Sequence, residues 1–208
     1  MIENISYFKL NLILFIFMLI ICKFKFKFND KLAKLCPTVC HASVCVLTSL
    51  YYLIYKQNMI LHFIRQWSIS YFVYDSLWHI KKRNILYIIH HLASIVVFEN
   101  FLPKNVNDSD GNLIILGIFA SELGNFSVYR VNYKIYTKKK ISNIDILLEC
   151  FAFLVWRNFI GVYMMYSLDS RKYSLCVFCF WLVSVWWGLG VAKQYYKFFF
   201  SNIKMSYS

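Results

Sequence analysis

The stretch from Arg65 to Ser94, RQWSISYFVYDSLWHIKKRNILYIIHHLAS, carries a carboxylate and a pair of imidazoles in largely apolar surroundings. Its two arms are long enough to be membrane helices and flank a short basic turn, Lys81-Lys82-Arg83-Asn84. A charge near mid-bilayer costs about 2.5 to 10 kcal/mol or more, so ionisable residues there face a protein-lined or watery interior. A neutral imidazole can take a proton from an attacking amine or hydroxyl, or accept an acyl group itself. A neighbouring carboxylate can hold the ring's tautomer and support the cation. Asp75, His90 and His91 are therefore the candidate catalytic residues.

Depth sharpens this expectation. Asp75 lies six residues before Lys81, and His90 six residues after Asn84. At a rise of about 1.5 Å per residue both fall about 9 Å from the turn, so a helical hairpin brings the acid and the imidazoles to one level. Asp75 and His79 share a helix face, which Arg65, Ser68 and Phe72 roughly continue, and His90 and Ser94 share another. His62 and His79 sit near the ends of their span and are expected to snorkel to the interface. His41 is expected to be an interfacial or packing residue. Two adjacent imidazoles inside a span are hard to satisfy by packing alone, so His90 and His91 carry the functional expectation.

The elements that must position these groups follow from composition. Of 208 residues, 60% are hydrophobic and 20% aromatic, with six Gly and two Pro. The apolar residues form blocks near membrane-spanning length instead of the amphipathic stripes of a soluble helical protein. The reading is an all-α polytopic membrane bundle, with seven spans at roughly 7–22, 36–55, 60–80, 84–102, 111–133, 142–168 and 173–197. Residues 1–30 supply the first span and a basic juxtamembrane segment, 31–200 the principal domain, and 201–208 a short tail. The first block lacks a basic n-region and a small-x-small cleavage site, so it is expected to be retained as a span.

A net charge of +13 raises the question of nucleic acid. The basic residues lie in short loops between apolar blocks and form no continuous face, which excludes that class and describes membrane topology instead. With alternating loops, fifteen Lys and Arg collect on one side against five on the other, with Arg65, Arg130 and Arg157 embedded. The positive-inside rule then places the N-terminus outside or lumenal and the C-terminus in the cytosol. Asn4-Ile-Ser6 and Asn107-Asp108-Ser109 are sequons on the lumenal side, close to the membrane.

The seven cysteines form no metal framework, and packing is the expected role of Cys36, Cys40, Cys45, Cys176 and Cys179. Cys22 and Cys36 flank the first basic loop and are positioned for palmitoylation. No span carries the His-x-x-x-His or Glu-x-x-His spacing of helical metal sites, so no metal is expected. Lys23 to Phe28 alternates Lys with Phe, as an interfacial anchor would, with rings in the acyl boundary and ammonium groups towards anionic lipid. There is no internal repeat, no flexible linker and no loop long enough for a soluble enzyme domain.

Further polar groups punctuate the later spans. The fifth contains Glu122 and Asn125, close enough to share a face, and Arg130 nearer its cytosolic end. The sixth contains Glu149 and Arg157, with Asn158 beside it. These charges are expected to pair or to line a cavity, and with Arg65 they are candidate headgroup or cavity residues.

In order along the chain, Ser70-Tyr71-Phe72-x-x-Asp75, His90-His91, Glu122-x-x-Asn125 with Arg130, and Phe153-Leu154-Val155-x-Arg157 resemble the successive motifs of the TLC-domain family. The resemblance covers at least residues 65 to 160. It implies a helical bundle around a lipid-accessible polar cavity, so that 31–200 would be a TLC domain. In the ceramide synthases of that family the His pair belongs to the acyl-transfer site, matched here by His90 and His91. Where the synthases have Lys-Asp-Phe and His-Asp-x-x-Asp, this chain has Arg83-Asn84-Ile85 and Ser121-Glu122-Leu123-Gly124-Asn125, and Ser94 stands in place of Thr. The pattern is closer to the small TLC-domain-containing proteins linked to membrane lipid composition.

The resemblance thus implies a protein of lipid homeostasis in the endoplasmic reticulum or plasma membrane, with membrane lipids as partners and no cofactor. Asp75, His90, His91, Glu122 and Arg157 would then hold a headgroup. Two other functions stay open. An acyltransferase would use His90 or His91 as base or nucleophile, Asp75 as orienting group and acyl-CoA as donor. A secretory-pathway chaperone or cargo receptor would need a binding surface that the short loops do not readily supply.

Overall fold

A computed structural model describes residues 2–100, 108–169 and 171–200. The Pro103 to Asp110 loop, the Asn107 sequon and the 201–208 tail fall wholly or partly outside those residues. Every regular element described is helical: α1 (Ile2–Phe24), α2 (Asp30–Tyr55), α3 (Asn58–Lys81), α4 (Ile85–Asn100), α5 (Ser109–Tyr136), α6 (Asn143–Cys150), a π-helical segment (Phe151–Trp156), α7 (Arg157–Ser167) and α8 (Arg171–Phe200). Among the described residues four stretches are long and apolar enough to cross a membrane: Tyr7–Phe24, Asp30–Tyr55, Ser109–Tyr136 and Asn143–Ser167. The protein is thus all-helical, with the composition of an integral membrane protein.

Three expected spans stand outside that set. Among the described residues α4 runs Ile85–Asn100, and α8, Arg171–Phe200, contributes the apolar stretch Val177–Lys193. The helix α3 has the length, at 24 residues, but carries Arg65, Gln66, Ser68, Ser70, Asp75, Ser76 and His79. Those polar groups are tolerable because α3 packs against α1, α2 and α4 and buries Ser68, Ser70, Asp75, Ser76 and His79 with its apolar residues. A helix enclosed by other helices does not need an apolar exterior.

The chain divides into two compact units, Met1–Phe119 and Ala120–Ser208. In the first unit, side chains lock the helices at several heights. Ser70 Oγ donates to the Phe8 carbonyl at 3.2 Å, Tyr71 Oη to Thr38 Oγ1 at 3.1 Å, and Tyr52 Oη to Asn112 Oδ1 at 2.7 Å. Phe15, fully enclosed, lies against His41, Trp67, Tyr71 and Tyr74 and forms the aromatic centre of the unit.

The turn between α3 and α4 is set by local chemistry. Arg83 adopts the left-handed region at φ 55°. The Asn84 amide donates to the His79 carbonyl at 3.0 Å and the Arg83 amide to the Ile80 carbonyl at 3.0 Å, the hydrogen-bond pattern of a Schellman motif. In the second unit the Lys138 turn repeats this pattern, with Lys139 donating to the Lys134 carbonyl and Lys138 to that of Ile135. Gly161 allows α8 to lie close to α7, since a Cβ there would stand 2.6 Å from Trp181 Cδ1.

Candidate functional site

The cluster in the first unit begins with a helix that starts earlier than the sequence suggested. Asn29 caps α2, its Oδ1 accepting from the Leu32 amide at 2.9 Å, and Asp30 complements the positive helix end. Helical structure therefore reaches Lys34, a residue expected to belong to the first basic loop. From the start of α2 its side chain meets the last turns of α3. Lys34 Nζ lies 3.0 Å from Asp75 Oδ1 and 3.0 Å from His79 Nε2. On the other carboxylate oxygen, Asp75 Oδ2, His91 Nε2 approaches to 3.3 Å and His79 Nε2 to 3.4 Å.

Four side chains from three helices thus converge, and burial makes the convergence costly to leave incomplete. The side chains of Asp75, His79 and His91 are 5, 10 and 6% exposed, and that of Lys34 is 20% exposed. Aromatic contacts hold the rings: Tyr87 stacks on His79 at 4.3 Å and 9°, and Phe72 packs against His91 at 5.4 Å. Ser94, one turn along from His90, is buried and donates to the His90 carbonyl. His90 sits half-buried beside His91, ring centroids 5.5 Å apart. Of the expected His pair, His91 makes the contact with Asp75, while His79, expected at the interface, joins the cluster instead. The helical hairpin does bring Asp75 and His91 to one level.

Arg65 does something different. Its Nε donates to the Phe98 carbonyl of α4 at 3.1 Å. It closes the α3–α4 hairpin at the end opposite the turn. His41 is fully enclosed, stacked on Tyr71 at 3.9 Å and 13°, with Nε2 3.3 Å from Cys45 Sγ and 3.4 Å from Ser68 Oγ. That arrangement is a packed polar node in the core of the unit.

The second unit has its own networks. Asn125 bridges Glu122 and Arg157: its Nδ2 donates to Glu122 Oε2 at 2.9 Å, and its Oδ1 accepts from Arg157. Arg157 also covers the Phe153 ring at 4.5 Å. The π-helical segment ahead of it carries Trp156, whose Nε1 donates to the Ala120 carbonyl at 2.8 Å. Glu149 accepts from Tyr195 on α8. Arg130 meets Asp145 at 2.6 Å, and Lys134 shares the same carboxylate. Asp145 and Lys134 were absent from the expected site residues, although Ser142-x-x-Asp145 has the spacing of a capping box and forms one.

No family model, curated protein or solved structure matches this chain. The likeness to the TLC-domain family therefore rests on its motif residues alone. Chemically, the Lys34 cluster pairs a buried carboxylate with an ammonium and two imidazoles, a set that can bind a polar headgroup or move a proton. Among the described residues no group of three or more His, Cys, Asp and Glu is arranged to hold a metal ion.

Proposed function

We propose that this chain is a multi-pass membrane protein of lipid handling, holding the polar part of a phospholipid or sphingolipid against Lys34, Asp75, His79 and His91. The carrying observation is the four-membered cluster itself. It is enclosed by apolar helices and lies next to two turns rich in Lys and Arg, at Lys23–Lys31 and Lys81–Arg83. Such groups inside a membrane unit signify a ligand or a pathway more often than packing. The surrounding helices expose Ile13, Phe17, Leu47, Ile54, Leu86 and Ile89, the surface that acyl chains would cover. In this reading all seven rods span an endoplasmic-reticulum or plasma membrane, the basic turns face the cytosol, and a polar cavity admits the lipid head.

The test is native mass spectrometry of the purified protein. Wild type retains a phospholipid or sphingolipid, and His91→Leu retains about tenfold less at equal folded yield. If wild type carries no lipid and cells with and without the chain have identical acyl profiles, the proposal fails.

One contact supports a second reading, acyl transfer from acyl-CoA. Asp75 approaches His91 through Nε2, which leaves Nδ1 of that ring as the atom able to act as base or nucleophile. Purified protein would then move a labelled acyl chain from CoA to a lipid acceptor, and His91→Ala would abolish the transfer.

A further inference from the structure

The hydrogen-bonding roles of the two imidazoles follow from their partners. Lys34 Nζ also lies 3.0 Å from Asp75 Oδ1; as the ammonium of that ion pair it has donors only, so we take His79 Nε2, 3.0 Å away, as an acceptor. The proton of that ring is therefore on Nδ1. Asp75 Oδ2 lies farther from the same His79 nitrogen, at 3.4 Å, and both are acceptors beside one ammonium. A carboxylate only accepts, so His91 Nε2, 3.3 Å from Asp75 Oδ2, must donate. Nδ1 of His91 therefore carries a lone pair.

The same cluster thus holds one imidazole whose Nδ1 donates and another whose Nδ1 accepts. The ring centroids are 5.6 Å apart at 71°. Both Nδ1 atoms are buried, and neither has a hydrogen-bond partner among the described residues. Buried polar groups are rarely left unsatisfied, so the two rings call for a ligand group that can both give and take a hydrogen bond.

We propose that the Lys34–Asp75–His79–His91 site recognises the free hydroxyl of a lipid, with His79 as donor to its oxygen and His91 as acceptor of its proton. This rests on the lipid-handling reading and narrows it to a ligand class. A lipid amine enters as an ammonium, which only donates and meets the Lys34 charge. A phosphate or carboxylate group accepts, gives nothing to His91, and meets the Asp75 charge. A hydroxyl is neutral and fits both ring nitrogens. Lys34 is here a positioning residue, since it sets the His79 tautomer and repels the amine.

The probes are oleyl alcohol, methyl oleyl ether and oleylamine, which share one chain and differ at the head. Each is titrated into the full-length protein in phosphatidylcholine nanodiscs, and retained probe is measured by mass spectrometry. Wild type is expected to retain the alcohol about tenfold better than the ether, which cannot donate, and about tenfold better than the amine. Lys34→Met should raise amine retention relative to alcohol, and His91→Leu should erase the preference of alcohol over ether. Equal retention of alcohol and ether would mean that bulk water satisfies the rings, and would overturn the assignment while leaving lipid handling intact. Retention of amine equal to or above that of alcohol would overturn it in the same way. Retention of none of the three would overturn both readings. The wild-type series needs no substitution, so misfolding of a variant cannot mask the result.

Discussion

Asp75 and Asp145 are both buried carboxylates that face several nitrogen-bearing side chains, and they differ in what is left over. Asp145 has a side chain 0% exposed and is saturated. Arg130 donates to Oδ1, while Lys134, the Ser142 amide and the Ser142 hydroxyl all serve Oδ2. Ser142 in turn caps α6, so the carboxylate closes a helix start and an ion-pair node together. Asp75 meets Lys34 and His91, and Lys34 in turn meets His79, so the node holds two rings that each retain a second nitrogen with no partner among the described residues. A closed node holds helices together and has nothing further to offer. An open node of the same burial keeps capacity for a ligand.

The largest effect should come from opening the closed node. Asp145→Leu removes the partner of two cations and the reciprocal bond of the capping box. Arg130 is half-exposed and can rehydrate, which limits the ionic loss, so we expect destabilisation of about 3 kcal/mol. The readout is a lower Tm in detergent. Retained lipid per folded molecule should not change, because the node has no ligand role. A loss of lipid at unchanged Tm would reverse the comparison.

Next in size is the open node, where a double-mutant cycle separates structure from binding. Asp75→Leu strands Lys34, whose side chain is 20% exposed and can snorkel, so the cost is about 2 kcal/mol. Adding Lys34→Met to Asp75→Leu should restore most of that stability, since replacing a buried ion pair with apolar groups is often neutral. Lipid retention should stay lost in the double variant. Recovery of both would make the Lys34 cluster a packing device like its counterpart at Asp145.

What could be read from the sequence alone follows the same division. The level shared by Asp75 and His91 was legible because a short turn fixes the depth of both arms, whatever their rotation. Lys34 is not legible as a site residue because it falls among the loop cations between the expected spans 7–22 and 36–55. Two signals were available: Asn29-Asp30 as a helix start, and the spacing of Lys34, Thr38, His41, Cys45, Ser49 and Tyr52 along one face of α2. The partners of Arg157 were harder. The π-helical segment between Glu149 and Arg157 adds a residue to the local turn, so a helical phase counted from Asn143 does not carry through to Arg157. Nothing in Phe151–Trp156 announces that shift.

Arg65→Met gives the smallest and most discriminating result. Arg65 lies in the same unit as the open node, but its contact is complete: Nε donates to the Phe98 carbonyl at the far end of the α3–α4 hairpin. The substitution keeps an apolar stem and removes the charged donor, a change worth about 1 kcal/mol for a partly buried group. Hydrogen exchange should therefore rise in the last turn of α4, near Phe98, and not around His91. Preference for the alcohol over the ether should survive, because the tautomers of His79 and His91 are set by Lys34 and Asp75. If Arg65→Met erased that preference, the relevant difference would be between the two units of the chain, and the distinction between closed and open contacts would fall.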